Sequence, residues 1–230
     1  MRTRTHATPP AITALSIVAG LAASSHAAPI DWNQPLGGSF NDPANWLGGM
    51  LPGAADDAVF GLDGQSYAVN LEADATVGGV NVIADDLTLS LSGRRLTVDE
   101  AAPLGLRVSD GASLSISGSG ELAAGALGFT SIWSVDASSV LTINAGADVL
   151  ASNVTFDMLG TLTVTSGSRL IDQGGAGFFN FSGPATISDG ASVNARNITA
   201  QSMSVIDASV GGEVVSIGGN TLIDASTLSA

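Results

Sequence analysis

Val108-Ser-Asp110-Gly-Ala-Ser113 returns almost unchanged as Ile187-Ser-Asp189-Gly-Ala-Ser192. Looser copies read Val135-Asp136-Ala-Ser138, Val205-Ile-Asp207-Ala-Ser209 and Leu222-Ile-Asp224-Ala-Ser226. Asp, Gly and Ser favour turns because Gly accepts positive φ and short polar side chains bond back to the local backbone. The steps between successive Asp positions are 26, 53, 18 and 17 residues, and the 53 reads as two coils near 26 with one degenerate copy between them. A turn recurring at such intervals marks a solenoid, whose units bury their apolar faces only by stacking on their neighbours.

Between the turns lie short runs that read as strands: Tyr67–Leu71, Thr76–Ile83, Leu87–Leu91, Leu96–Val98, Leu104–Val108, Ser113–Ile116, Val140–Ile143, Thr161–Thr165, Val193–Ile198 and Val214–Ile217. Apolar residues alternate with hydroxyls within them, as in Leu87-Thr-Leu-Ser-Leu91 and Leu114-Ser-Ile116. Period two places one set of side chains in a core and the other in water. The fold expected is all-β, a right-handed parallel β-helix with an N-terminal aromatic loop cap. An antiparallel β-sandwich is the competitor, since evenly spaced short strands also suit it. Repeated Asp-Gly-Ala-Ser corners, small core residues and few bulky aromatics favour the helix. About 160 residues at ~20 per coil predict roughly eight coils and a rod near 40 Å, at the strand spacing of ~4.8 Å. Phe178-Phe179-Asn180-Phe181 is expected to form an aromatic stack.

Residues 1–27 read as an address. Arg2 and Arg4 precede the apolar run Ala11 to Ala23, and small residues lead to Ser25-His26-Ala27. That order is the pattern of a secretory signal peptide, with cleavage expected after Ala27. A run this short spans about 20 Å as a helix, less than the ~30 Å of a bilayer core. The expected divisions are therefore a signal peptide over 1–27, a cap module over 28–66 and β-helix repeats over 67–230, the last ending inside repeat-like sequence. That ending leads us to expect a fragment, or a last coil that meets another subunit.

Composition narrows the chemistry. Charged residues make up 12% and aromatics 5%, Gly numbers 29, Cys is absent, and the formal net charge is −14. All seven basic residues are Arg, at positions 2, 4, 94, 95, 107, 169 and 196. Both histidines, His6 and His26, leave with the leader, as do Arg2 and Arg4, so five arginines face 21 acids and the balance becomes −16. A chain this acidic repels phosphate backbones, so no nucleic-acid partner is expected. Lacking His, Cys and Lys, the mature chain cannot build a serine–histidine triad or a His/Cys zinc site. Paired carboxylates could still hydrolyse glycosides. The adjacent pairs Asp56-Asp57, Asp85-Asp86 and Asp99-Glu100 point to opposite faces of a strand, however, so none is a ready dyad. An acid set with an Arg base among Arg107, Arg169 and Arg196 would suit a lyase. Gly118-Ser-Gly120 reads as a turn, and Gly174-Gly-Ala-Gly177 begins like a calcium nonapeptide but continues with Phe178 and Phe179 where Asp is required. No catalytic, cofactor-binding or metal residue is assigned.

Residues 31–67 hold five of the eleven aromatics: Trp32, Phe40, Trp46, Phe60 and Tyr67. Trp32 and Trp46 would either cover the end of the core, the preferred reading, or form a carbohydrate platform. Gly37-Gly-Ser-Phe40, Asn41-Asp-Pro-Ala-Asn-Trp46, Leu51-Pro-Gly53 and Asp56-Asp-Ala-Val-Phe60 resemble the entry segment of bacterial secreted β-helix proteins. These are the autotransporter-passenger-like group, many of which carry a PEP-type sorting tag. Phe40 stands where that group often has Trp, and no Pro-Glu-Pro tag is present. The resemblance implies an extracellular or cell-surface repeat protein and implies no reaction. Together these readings predict a non-enzymatic, exported structural or adhesin-like module whose partner is a glycan or another surface or matrix protein. The alternatives are a β-helix polysaccharide lyase or glycoside hydrolase, and a passenger fragment of an autotransporter.

Overall fold

Leu87 and Leu89 are buried while Asp86 and Thr88, which alternate with them, are exposed, so this strand has one dry and one wet side. The same holds strand after strand in the computed structural model of the chain, which describes residues 28–99, 104–124, 132–152, 154–224 and 226–229. The leader expected over 1–27 and Glu100 of the Asp99-Glu100 pair lie outside the described residues.

The strands fall into three columns, one per face of a three-sided coil. The first face stacks Ala28–Asp31, Asp56–Phe60, Gly79–Ile83, Leu104–Ser109, Ile132–Val135, Thr155–Met158, the opening halves of Phe178–Ser188 and Asn197–Ile206, and Val214–Ile217. The second stacks Gly38–Ser39, Ser66–Asn70, Asp86–Ser90, Ser113–Ser117, Val140–Ile143, Thr161–Val164, the closing halves of the same two long strands, and Thr221–Asp224. The third is an 8-stranded sheet running from Ala75–Val77 to Thr227–Ser229. Neighbours pair in parallel throughout, for example Leu89 with Ile116 and Ile116 with Ile143 on the second face, and Leu96 with Leu122 and Leu122 with Val149 on the third. The fold is thus a parallel β-solenoid, and parallel ladders exclude the sandwich. Its ladder starts early: Ala28–Asp31 and Asp56–Phe60 are the first two rungs of the first face.

Tight corners make the coil possible. Ser109 to Ala112 is a four-residue turn closed by Ala112 N–H donating to Ser109 O at 3.1 Å, with Asp110 at φ 60° and Gly111 at φ 79° between them. Two successive positive φ values are the type I′ requirement, which explains Asp-Gly. The Ala that follows points into the core and is 1% exposed. Asn144–Ala147 and Ser188–Ala191 repeat the geometry. One expectation is corrected here. Asp110 and Asp136 sit where the first face meets the second, whereas Asp189, Asp207 and Asp224 sit where the second meets the third. The long step from Asp136 to Asp189 is therefore two turns plus one face, the turn of Asp110 recurring at Asp189 on a different corner.

The coil narrows along its length. On the second face, the chain from Leu89 to Ile116 makes one full turn, and the shorter stretch from Ile187 to Val205 also makes one. The first corner shrinks to Gly160 and then Gly183, where a Cβ would collide with the carbonyl oxygens of Ser139 and Gly160 respectively. Strands that a turn had separated fuse into Phe178–Ser188 and Asn197–Ile206, with the ladder slipping between Phe181 and Pro184. Conversely, the expected strands Thr76–Ile83 and Val193–Ile198 are each broken by a corner, at Gly78 and at Ala195-Arg196.

Aromatics close one end and line one wall. Trp46 meets Trp32 edge-on with centroids 5.0 Å apart, and Phe40 likewise at 5.0 Å. Both indoles are buried, and both find acceptors: Trp46 Nε1 donates to Phe40 O at 2.8 Å and Trp32 Nε1 to Gln34 O at 2.7 Å. The motif around them has a part for each residue. Asn41 Oδ1 accepts from the backbone of Glu72 and Ala73, Asp42 accepts from Ala44 N–H and caps the 3-10 turn Pro43–Asn45, and Asn45 donates to Ser39 O. Deeper in, Trp133, Phe156 and Phe179 stack on the first face with centroids 5.9 and 5.6 Å apart. The core is more aromatic there than its expected small residues.

Phe178 and Phe179 test this arrangement directly, being adjacent yet 54% and 1% exposed. Phe179→Ala is expected to lower unfolding free energy by about 3–5 kcal/mol, the range for a buried Phe. Phe178→Ala is expected to change it by less than about 0.5 kcal/mol, the range for surface positions. Urea denaturation of the two variants measures both.

Candidate functional site

Polar groups gather at three places: inside the corners, along the third face and along the second face. Inside the first corner, Asp85 occupies the rung that Ala112 and Ser139 fill in later turns, as the bonds Ser113 N–H to Asp85 O and Val140 N–H to Ala112 O show. It is fully buried. Its carboxylate accepts from Leu62 N–H at 2.6 Å, Gly64 N–H at 2.9 Å, Gln65 N–H at 3.1 Å and Tyr67 Oη at 2.8 Å. Burial, then the hydrogen bond and charge of Asp85, drive the Tyr67 phenol far above its ordinary pKa and keep it a donor. Asp172 does similar work at the third corner, accepting from Gly174 N–H at 3.1 Å and Gly177 N–H at 2.7 Å. The Gly174–Gly177 segment is thus a loop held by Asp172. These carboxylates replace backbone partners that the turns of neighbouring coils obtain from the ladder, so their role is architectural.

The adjacent acids separate as a strand requires. Asp85 points in and Asp86 is exposed. Asp56 Oδ2 accepts from Gly53 N–H at 2.9 Å, while Asp57 Oδ2 accepts from Asn81 and its Oδ1 is buried without a partner. Burial chiefly, opposed by the Asn81 bond and reinforced by the charge of Asp56, raises the Asp57 pKa. Asp99 is described, and Glu100 beside it lies outside the described residues.

Acids and arginines do converge on the third face, through strand pairing that no local spacing reveals. Arg95 lies across from Glu121, Glu121 from Asp148, and Asp148 from Arg169. Arg95 Nη1 reaches Glu121 Oε2 at 2.8 Å, and Arg169 grips Asp148 with Nε and Nη2. The hydrogen bond and charge of Asp148 raise the Arg169 pKa further. A shallow recess of about 300 Å³ beside this ladder is lined by Asp74, Arg94, Arg95, Glu121 and Asp148. The other two arginines singled out from the sequence stand apart. Arg196 pairs with Glu213 at 2.9 Å, and Arg107 lies on the first face between Asn81 and Ser134. No group of three or more acids able to hold a metal ion occurs among the described residues.

The second face carries hydroxyls in register. Thr88, Ser115, Thr142, Thr163, Thr186 and Ser204 occupy successive rungs, all pointing outward. A flanking rank of Ser90, Ser117, Asn144, Thr165 and Ser188 follows the corner, linked by bonds such as Ser188 Oγ to Thr165 Oγ1 at 3.2 Å. By contrast, Trp32 and Trp46 are 1% and 2% exposed, so they plug the core and present no platform.

The arrangement defines a three-sided parallel β-solenoid with a hydroxyl-bearing face and a charged face. In comparisons with known proteins, no family model, no curated protein and no solved structure matches the chain. Among the described residues, no helix is long and apolar enough to cross a membrane.

Asp85→Ala would leave three N–H groups and the Tyr67 hydroxyl without their acceptor, and each buried unsatisfied group costs about 1–3 kcal/mol. Denaturant unfolding of that variant should show a loss of roughly 3–5 kcal/mol, as for breaking a buried charged network, and Asp85→Asn a smaller loss. Asp57 supplies a pH signature opposite in sign to that of a well-paired carboxylate. Its folded pKa lies above the unfolded one, so folding is favoured most below the ordinary carboxylate range and loses stability as pH rises through the raised value. Asp57→Asn should therefore raise the melting temperature at pH 7 and leave it unchanged near pH 3, measured by thermal scans across that range.

Proposed function

We propose that the chain is a non-enzymatic, exported structural or adhesin-like β-helix module of a bacterial surface or matrix, with residues 1–27 acting as a cleaved leader. The observation that carries the reading is repetition. Outward-facing groups recur in register from turn to turn, as Thr88 to Ser204 do, so the rod offers many equal contacts in place of one pocket. Such a surface binds through multiplicity, each contact being weak and the sum strong. Its acids serve the rod itself: Glu121 and Asp148 are neutralised by Arg95 and Arg169, and Asp85 and Asp172 hold corners. The partner class that suits it is a glycan or another surface protein.

A second reading has one observation in its favour. The recess of Asp74, Glu121 and Asp148 with Arg94 and Arg95 places acids and arginines within one hollow, as a carbohydrate-cleaving enzyme of β-helix type would.

Expression of the full chain in a bacterial host decides between them. The proposal expects a protein outside the cytoplasm whose mature N-terminus, by mass spectrometry, is Ala28, and no product release from a panel of polysaccharides. Retention of residues 1–27 on a cytoplasmic protein would contradict the export. Sugar release that Glu121→Gln abolishes would establish the enzyme instead.

A further inference from the structure

We propose that the second face is a docking surface for a neutral, extended, β-linked polysaccharide laid along the solenoid axis. This rests on the surface-module reading above and names its ligand class.

Three features of the face point there. Its central rank, Thr88, Ser115, Thr142, Thr163, Thr186 and Ser204, repeats a hydroxyl at every rung. Rungs are ~4.8 Å apart in such a ladder, close to the advance of one sugar ring in an extended β-linked chain. Each ring then lies over a hydroxyl, alternate rings in the same orientation because successive β-linked rings are turned by half a revolution, and a chain lying across the strands would not keep this match. Second, these hydroxyls are free for a ligand. Among the described residues only Ser115 of the six has an intramolecular side-chain partner, accepting from Asn144 Nδ2 at 3.2 Å.

Third, the charge is segregated. In a chain of net charge −14, the second-face segments Ser113–Ser117, Val140–Ile143, Thr161–Val164, 184–188 and 202–206 carry no charged residue, and the acids of this face stand towards its ends, Asp86 on the strand of Thr88 and Asp224 on Thr221–Asp224. The third face holds Arg95, Glu121, Asp148 and Arg169 on consecutive rungs. An uncharged strip on an acidic rod matches a neutral chain, which has no charge to desolvate, and disfavours an acidic one through the field of the rest of the molecule. Desolvating hydroxyls is tolerable only when each finds a new partner, and a polysaccharide supplies hydroxyls at the same repeat. With no exposed aromatic side chain on this face among the described residues, the contacts are hydrogen bonds, individually weak and additive along the axis.

The test is retention of the purified mature chain, residues 28–230, on microcrystalline cellulose and on chitin, with alginate and pectate as acidic comparators and ice as a non-glycan hydroxyl lattice. The wild type should bind a neutral solid and not the acidic polymers. Thr142→Glu with Thr186→Glu should weaken that binding at least tenfold, while Ser134→Glu with Thr199→Glu, which adds the same charge to the first face, should leave it unchanged. The triple variant Thr142→Ala, Thr163→Ala and Thr186→Ala removes hydroxyls without adding charge, so it reports even where the glutamates perturb folding, and it should also bind less. Equal loss in the first-face control, no retention on either neutral polysaccharide, or binding only to ice, to acidic polymers or to a surface protein would overturn the proposal. Those outcomes leave the export reading standing, because it is judged separately by the location and N-terminus of the chain.

Discussion

The structure depends on one constraint: every turn must return to the same register, so that inward side chains meet their own kind one rung away. Parallel strands cannot be joined by hairpins, and the chain has no α-helix among the described residues to carry a crossover. It therefore comes back by turning three corners, some of them four-residue turns with two residues at positive φ, such as Asp110-Gly111 or Asp189-Gly190, and others a single close-packed glycine such as Gly160 or Gly183. Backbone bonds then run along the axis from turn to turn, as from Val140 N–H to Ala112 O. Side-chain ladders follow automatically. Trp133 lies over Phe156 and Phe156 over Phe179 because their backbones are already bonded.

The same constraint explains the buried acids. Where a coil gains a longer corner, its N–H groups lose their ladder partners and would be stranded in a dry interior. Asp85 at the corner 62–65 and Asp172 at 174–177 supply the missing acceptors from inside. A carboxyl group in a core is costly unless donors meet its oxygens, and each of these has them. Outside, the restrictions relax, so charge, hydroxyls and Gly-rich loops are distributed by face. The result is a rod whose chemistry differs around its circumference and repeats along its length.

Much of the fold was legible because both of its periods are local. Alternation within Leu87-Thr-Leu-Ser-Leu91 marks a strand with two sides, and the Asp-Gly-Ala-Ser motif marks a corner. What the motif did not reveal was which corner it occupies, since Ser109–Ala112 and Ser188–Ala191 have the same turn at different vertices. Counting from one copy to another therefore misjudged the coil between them. The Trp and Phe cap could be read because aromatics are scarce elsewhere in the chain. The ladder of Arg95, Glu121, Asp148 and Arg169 could not, because its successive members are a whole coil apart in the chain and meet only through register. Asp85 escaped notice for a related reason: adjacent acids suggested a surface, and only the corner geometry turns one of them inward.

The hydroxyl rank and the charged rank arise from the same register, so function and fold share one test. Spin labels at Thr88 paired in turn with Thr163, Thr186 and Ser204 measure it by dipolar spectroscopy. In a solenoid these sites are three, four and five rungs from Thr88, and the distances should increase by ~4.8 Å at each step, reaching about 24 Å for Ser204. Distances that fail to rise in order, or that alternate between short and long as in opposed antiparallel layers, would contradict the stacked coil and every surface built upon it.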